Sequence, residues 1–175
     1  DHFADMEWHL RPELFASGYA WIFPHADRYS VGVYADYRLF SAIELKKRMI
    51  AWCNELQLGL APASIRAGMI NYDYRGVRFD GGYLVGEAAG LVSGLTGEGI
   101  YPALVSGETV AQMILDPHSG GVTLARMARQ HRRHAGLVAL AANHPRLCRP
   151  LMEAALALLR CRLLDFRRLE MTDLL

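Results

Sequence analysis

Residues 81–101 read Gly81-Gly82-Tyr83-Leu84-Val85-Gly86-Glu87-Ala88-Ala89-Gly90-Leu91-Val92-Ser93-Gly94-Leu95-Thr96-Gly97-Glu98-Gly99-Ile100-Tyr101, and an apolar, helix-prone stretch follows to about residue 115. Gly82 to Gly86 reads as a short buried strand, 90–99 as a glycine-rich loop, and 98–115 as a helix. Gly86, Ala88, Ala89 and Gly90 are small, so another group can approach the backbone closely. Glu87 places one carboxylate at the C-terminal end of the strand. Thr96, Gly97 and Gly99 then lead into a helix start, whose unpaired N–H groups favour negative charge. This combination suits a polyhydroxy, anionic cofactor. A tight strand–helix turn without a ligand is the other reading that spacing alone leaves open. Two nucleotide motifs are excluded: there is no G-x-x-x-x-G-K-[ST] and no G-x-G-x-x-G at a first strand.

Upstream, residues 17–35 read as a hairpin. Gly18-Tyr19-Ala20-Trp21-Ile22-Phe23 is aromatic and β-prone, Pro24-His25-Ala26-Asp27 marks a turn, and Tyr29-Ser30-Val31-Gly32-Val33-Tyr34 returns as a strand. Tyr19, Trp21 and Phe23 alternate and share one face, either sheet core or the wall of a pocket. Residues 41–58 read as an amphipathic helix. Ser41 and Glu44 open it as a capping box, and Leu45, Met49, Trp52, Cys53 and Leu56 form its apolar stripe. Gly59 and Pro62 are expected to end it. A short strand and a turn are expected in 64–80. Downstream, 116–121 is a break, followed by helices over about 123–142 and 146–168.

Composition limits the function classes. The chain has 175 residues, 52% hydrophobic and 21% charged, enough for a real core and unlike a disordered tail. No run of about 18 uncharged apolar residues exists, so no membrane-spanning helix is expected. The chain opens on an acidic segment without Met, which suits a piece of a longer protein rather than a secreted precursor. Cys53, Cys148 and Cys161 show no paired spacing, so no disulfide framework or zinc site is expected and a reducing cytoplasm is the default. His131 and His134, three apart, read as part of a solvated basic helix face rather than metal ligands.

Charge is uneven: residues 1–116 hold 9 Lys/Arg and 14 Asp/Glu, and residues 117–175 hold 10 Arg and 4 Asp/Glu. The arginine-rich helices read either as a packed helix pair with a solvated basic face or as a peripheral contact for anionic lipid. No nucleic-acid motif accompanies the charge, and no nucleic-acid partner is expected.

The wording of two segments adds a family. Leu84-Val85-Gly86-Glu87-Ala88-Ala89-Gly90, continuing through Leu95-Thr96-Gly97-Glu98-Gly99-Ile100 to Ser106-Gly107-Glu108, resembles the second flavin-binding motif of the geranylgeranyl reductase family of FAD-dependent oxidoreductases. Gly18-Tyr19-Ala20-Trp21-Ile22-Phe23-Pro24 resembles that family's aromatic substrate-domain motif. The resemblance covers roughly residues 14–115. It implies FAD as cofactor, with Gly86, Glu87, Gly97, Glu98, Gly99 and Ile100 on the flavin side. Glu87 stands where the family usually has an aspartate bonded to the ribityl chain. It also implies a hydrophobic substrate, with Tyr19, Trp21 and Phe23 lining its pocket. Gly94 replaces a common proline and His25 a frequent lysine.

The implied fold is α+β: a mostly antiparallel substrate-side sheet in 1–80, one strand–loop–helix unit of the flavin domain in 81–116, and a helical third in 117–175. The resemblance implies that the family's N-terminal nucleotide-binding half is not among these residues. The implied activity is reduction of carbon–carbon double bonds in an isoprenoid or lipid, with the isolated fragment inactive. A monooxygenase or halogenase of the same superfamily, or a binding module that keeps the motif without catalysis, are the alternatives. No residue is singled out as the proton donor, and structural roles are the leading expectation for Tyr19 and His25.

Overall fold

Two strands joined by a four-residue turn must cover one face to be stable, and here an N-terminal strand and two helices complete the arrangement. The computed structural model describes residues 4–60, 65–116, 118–119, 121–163, 165 and 170–171. The fold is α+β with small antiparallel sheets, as the sequence implies. The chain divides into two compact units, 1–68 with 140–157 and 69–139 with 158–175.

In the first unit, β1 (Glu7–His9), β2 (Tyr19–Pro24) and β3 (Tyr29–Tyr34) form an antiparallel sheet in that order. The hairpin register runs from Tyr19 opposite Tyr34 to Pro24 opposite Tyr29, and His25 N–H donates to Arg28 O at 2.8 Å across the turn. Alternation sends Ala20 and Ile22 into the core, where they meet Phe15 of α1 (Pro12–Phe15) and Met49, Trp52 and Cys53 of α2 (Ala42–Glu55). Neither β1 nor α1 is expected from the sequence. Each is a single short element held by its neighbours rather than by its own pattern.

Ser41 caps α2 as expected, its Oγ accepting the Glu44 N–H at 3.2 Å. The helix does not end on Gly59. It stops at Glu55, with Gln57 in the left-handed region (φ 57°). Gln57 N–H donates to Asn54 O (3.1 Å) and Leu58 N–H to Cys53 O (2.9 Å), the paired bonds of a Schellman motif. Leu58 packs on the core, which offsets the cost of a side chain at positive φ. Pro62 lies outside the described residues.

The second unit contains β4 (Arg78–Phe79) paired with β5 (Gly82–Tyr83), a 3-10 turn over Gly86–Ala89, α3 (Ile100–Leu115) and the larger part of α4 (Gly121–Asn143). Two expectations are corrected here. The strand expected in 64–80 is confined to Arg78–Phe79, and 65–75 carries no regular element. The buried strand expected over 82–86 is only two residues long, with Gly82 exposed and Leu84 41% exposed. Among the described residues β5 pairs only with β4, a two-stranded ladder too small to bury a strand by itself.

α5 (Pro145–Arg160) is also shorter than the 146–168 expected. Arg162 (φ 56°) and Leu163 repeat the Schellman closure, bonding to Leu159 O at 3.0 Å and Leu158 O at 2.9 Å. Residues 164 and 166–169 of that expected helix lie outside the described residues. Among the described residues no helix is long and apolar enough to cross a membrane. Arg126, Arg129, Arg132 and Arg133 of α4 and Arg146, Arg149 and Arg160 of α5 are exposed, in keeping with a solvated basic face.

Candidate functional site

Two places carry the residues that the sequence singles out, one in each unit. In the first unit, Tyr19, Trp21 and Phe23 lie on the face of β2 opposite the core. Trp8 of β1 joins them, with ring centroids 5.0 Å from Tyr19 and 5.2 Å from Phe23. Tyr34 of β3 is 5.5 Å from Tyr19. The choice between core and outward face is therefore decided: Ala20 and Ile22 are fully buried, while Tyr19, Trp21 and Phe23 are half-buried and Trp8 is 44% exposed. Trp21 lies across Gly32, its cross-strand partner, where any Cβ would overlap the indole ring. Its Nε1–H donates to Ser30 Oγ at 3.5 Å. Burial pushes the Tyr19 phenol up to about 12, so it stays protonated at neutral pH. His25 sits exposed in the turn between β2 and β3.

In the second unit the loop 86–99 leads into α3. Gly86 (φ 54°) packs so tightly on α3 that a Cβ there would lie 2.8 Å from Ala103 Cβ, and its N–H donates to the buried Ser106 Oγ at 2.9 Å. A Cβ at Gly90 (φ 75°) would collide with the Asp73 carbonyl. At both glycines the close approach comes from this chain's own backbone and helix. Glu87 is exposed. Its Oε1 accepts the Asn71 N–H at 3.2 Å, and its carbonyl accepts from Asn71 Nδ2 at 3.1 Å.

The amides of the expected flavin-side residues fall into two groups. Gly97 N–H donates to Ser93 O at 2.8 Å and Glu98 N–H to Thr96 Oγ1 at 3.3 Å, so both are used inside the loop. The first bond closing α3 runs from Ala103 N–H to Gly99 O at 3.0 Å. Gly99 provides no side-chain cap and Pro102 has no N–H, which leaves the first-turn amides of Ile100 and Tyr101 outside the helical ladder. Ile100 itself is 80% exposed. Amides left unpaired at a helix start favour negative charge. Glu98 turns inward instead: its Oε2 accepts the Met171 N–H at 2.7 Å, and burial raises its carboxyl above the ordinary value.

Sequence reasoning missed the groups behind the loop. His131 and His134 are buried, 3% and 2% exposed, and do not lie on the solvated face expected of them. They fall on the apolar stripe of α4 with Met127, Ala128 and Val138, and that periodicity is the signal that could have placed them inside. His134 Nδ1 lies 2.8 Å from Ser93 Oγ, and burial drives its pKa down to about 4. The His131 ring packs 5.8 Å from that of Tyr74, and burial lowers its pKa too.

In sequence and in fold the chain is similar to reductases of the geranylgeranyl type. No protein-family model matches the chain. It is 35% identical over 124 residues to the digeranylgeranylglycerophospholipid reductase of Methanocaldococcus jannaschii, a match covering 62% of this chain and 30% of that protein. It is 34% identical over 120 residues to an uncharacterized protein of Methanosarcina barkeri, covering 66% of this chain and 30% of the relative. The chain thus spans about 30% of the length of these curated relatives. Among solved structures, a geranylgeranyl bacteriochlorophyll reductase-like protein of Thermoplasma acidophilum shares the fold. Its TM-score is 0.59 at 23% identity, covering 78% of this chain and 39% of that one.

Proposed function

We propose that this chain forms part of an FAD-dependent oxidoreductase of the geranylgeranyl reductase type, acting on carbon–carbon double bonds of an isoprenoid lipid. The observation that carries the reading is the open first turn of α3, behind the Gly97-Glu98-Gly99 loop, in a chain 35% identical over 124 residues to a digeranylgeranylglycerophospholipid reductase. FAD, when bound and reduced, supplies a hydride. The Ile100 and Tyr101 amides and the N-terminal end of the helix dipole would stabilise negative charge on its ring. Glu87, at the start of the loop, would accept a hydroxyl of the cofactor chain, as the family resemblance implies. The nucleotide end would be held by a nucleotide-binding unit outside residues 1–175.

The aromatic face of Trp8, Tyr19, Trp21 and Phe23 would take the apolar chain of the substrate and exclude water from it. Tyr19 keeps its proton on Oη at neutral pH, so it can donate but not act as a base.

Tryptophan fluorescence on titration with a geranylgeranyl lipid tests the substrate side. A saturable change is expected, lost in Trp21→Ala. No response up to the solubility limit of the lipid would remove the substrate assignment. Equilibrium dialysis tests the cofactor side: the 175-residue chain should not retain FAD stoichiometrically at micromolar concentration, because the pyrophosphate contacts lie elsewhere.

A further inference from the structure

The loop between Ser93 and α3 contains Gly94, Gly97 and Gly99, and a glycine-rich loop holds a single conformation only if something pins it. The pins are visible. Ser93 is fully buried, and its Oγ accepts the N–H groups of Leu95 (3.3 Å) and Thr96 (3.0 Å). Ser93 N–H donates to Glu98 O at 2.9 Å, and Ser93 O accepts the Gly97 N–H at 2.8 Å, closing the loop on one residue.

Ser93 is itself held by α4. Gln130 Nε2 lies 3.1 Å from His134 Nε2, and an amide nitrogen can only donate. His134 Nδ1 lies 2.8 Å from Ser93 Oγ, so the ring and the hydroxyl share one buried hydrogen bond. From the other side Glu98 Oε2 accepts the Met171 N–H at 2.7 Å. The Met171 side chain is fully buried in a cluster with Ala89, Leu91, Val110 and Met127. Gln130 Nε2 also donates to Glu170 O at 3.4 Å, tying the same segment to α4.

We propose that Gln130, His134, Ser93, Glu98 and the Glu170–Met171 segment form a brace that fixes the 93–99 loop and so aims the first amides of α3. They are positioning residues for the negative edge of the bound cofactor, and this rests on the flavin reading above. In this reading they act from behind the loop, where the Glu98 amide and carboxylate are used within the protein. Their effect is to order the amides beforehand, since an anion cradle works only if its donors need not reorganise. The brace draws on residues outside the 14–115 span that carries the motif resemblance.

Amide hydrogen exchange on the 175-residue chain, with and without FAD at about millimolar concentration, tests the brace. His134→Leu should speed exchange at residues 94–101 by about tenfold, the scale of one lost buried hydrogen bond, with β2 and β3 as an internal reference that stays unchanged. His134→Asn keeps an amide near the Nδ1 position, able to donate to Ser93 Oγ or accept from it, and should restore most of the protection. FAD should slow exchange at 99–101 in the wild type and in His134→Asn, but not in His134→Leu. Unchanged exchange at 94–101 in His134→Leu, or an equal rise across 69–139 in both variants, overturns the brace. Loosening of the loop in His134→Leu with no FAD effect in any variant would uphold the brace as a loop clamp and overturn the flavin reading instead.

Discussion

In the three-stranded sheet, the side chains that form the aromatic face come from strands adjacent along the chain: Trp21 meets Phe23 two residues on and lies over Gly32 across a four-residue turn. In the 86–99 loop, the decisive partners come from far away. Ser93 is held by a residue 41 positions on, and Glu98 by one 73 positions on. The sheet presents its face because alternation and a tight turn require it. The loop keeps its shape because another helix and a late segment reach it. The first arrangement should tolerate local change on its outer face, and the second should respond to substitutions distant in sequence.

The largest effect is expected in the core under the sheet. Trp52→Ala should destabilise the first unit by about 3–5 kcal/mol, the range for truncating a fully buried aromatic residue. Denaturant unfolding followed through β2–β3 exchange would measure it. Trp52→Phe should cost much less, because the buried Trp52 Nε1 has no hydrogen-bond partner among the described residues. An equal loss in both variants would mean that the indole contributes more than packing.

A smaller effect concerns pH and the loop. His134 has its pKa lowered to about 4 from an ordinary value of 6.5. Its neutral form is therefore favoured by folding. Its contribution is complete above pH 6.5 and is lost as pH falls through about 4, on the order of 3 kcal/mol in all. Glu98 acts in the opposite sense: its raised carboxyl pKa weakens the folded state at neutral pH, and that penalty fades on acidification. The clean readout is the difference in stability between wild type and His134→Leu from pH 7 to 4, which should shrink steadily. A constant difference would show that His134 is not buried neutral against Ser93.

The smallest effect is expected on the outer face of the sheet. Trp21→Ala should cost about 1 kcal/mol in stability, since the indole is half-buried and its cross-strand partner is a glycine. Its effect on the isoprenoid titration should be much larger than on the melting temperature. A heavy stability loss with unchanged lipid response would return Trp21 to a structural role and level the contrast between the two regions.

Sequence alone determined the elements whose signals are local. The hairpin follows from alternation around Pro24-His25-Ala26-Asp27, α2 from Ser41 and its apolar stripe, and α3 from the glycine-rich approach to Ile100. The family motif was likewise legible because it is a contiguous string of residues. Tertiary structure alone decided which face of β2 is inside. Ala20 and Ile22 are as apolar as Tyr19, Trp21 and Phe23 are aromatic, so the pattern defines two faces without saying which one α1 and α2 will cover. It also shortened the expected 82–86 strand, whose burial depends on neighbouring strands that the segment does not itself encode. The helix ends at Gln57 and Arg162 were set by backbone closure and, at Leu58, by core packing, against the propensity for glycine. His131 and His134 look solvated in a run of arginines. They are buried because their positions on the helical period coincide with the stripe that packs inward, where loss of water keeps a histidine neutral.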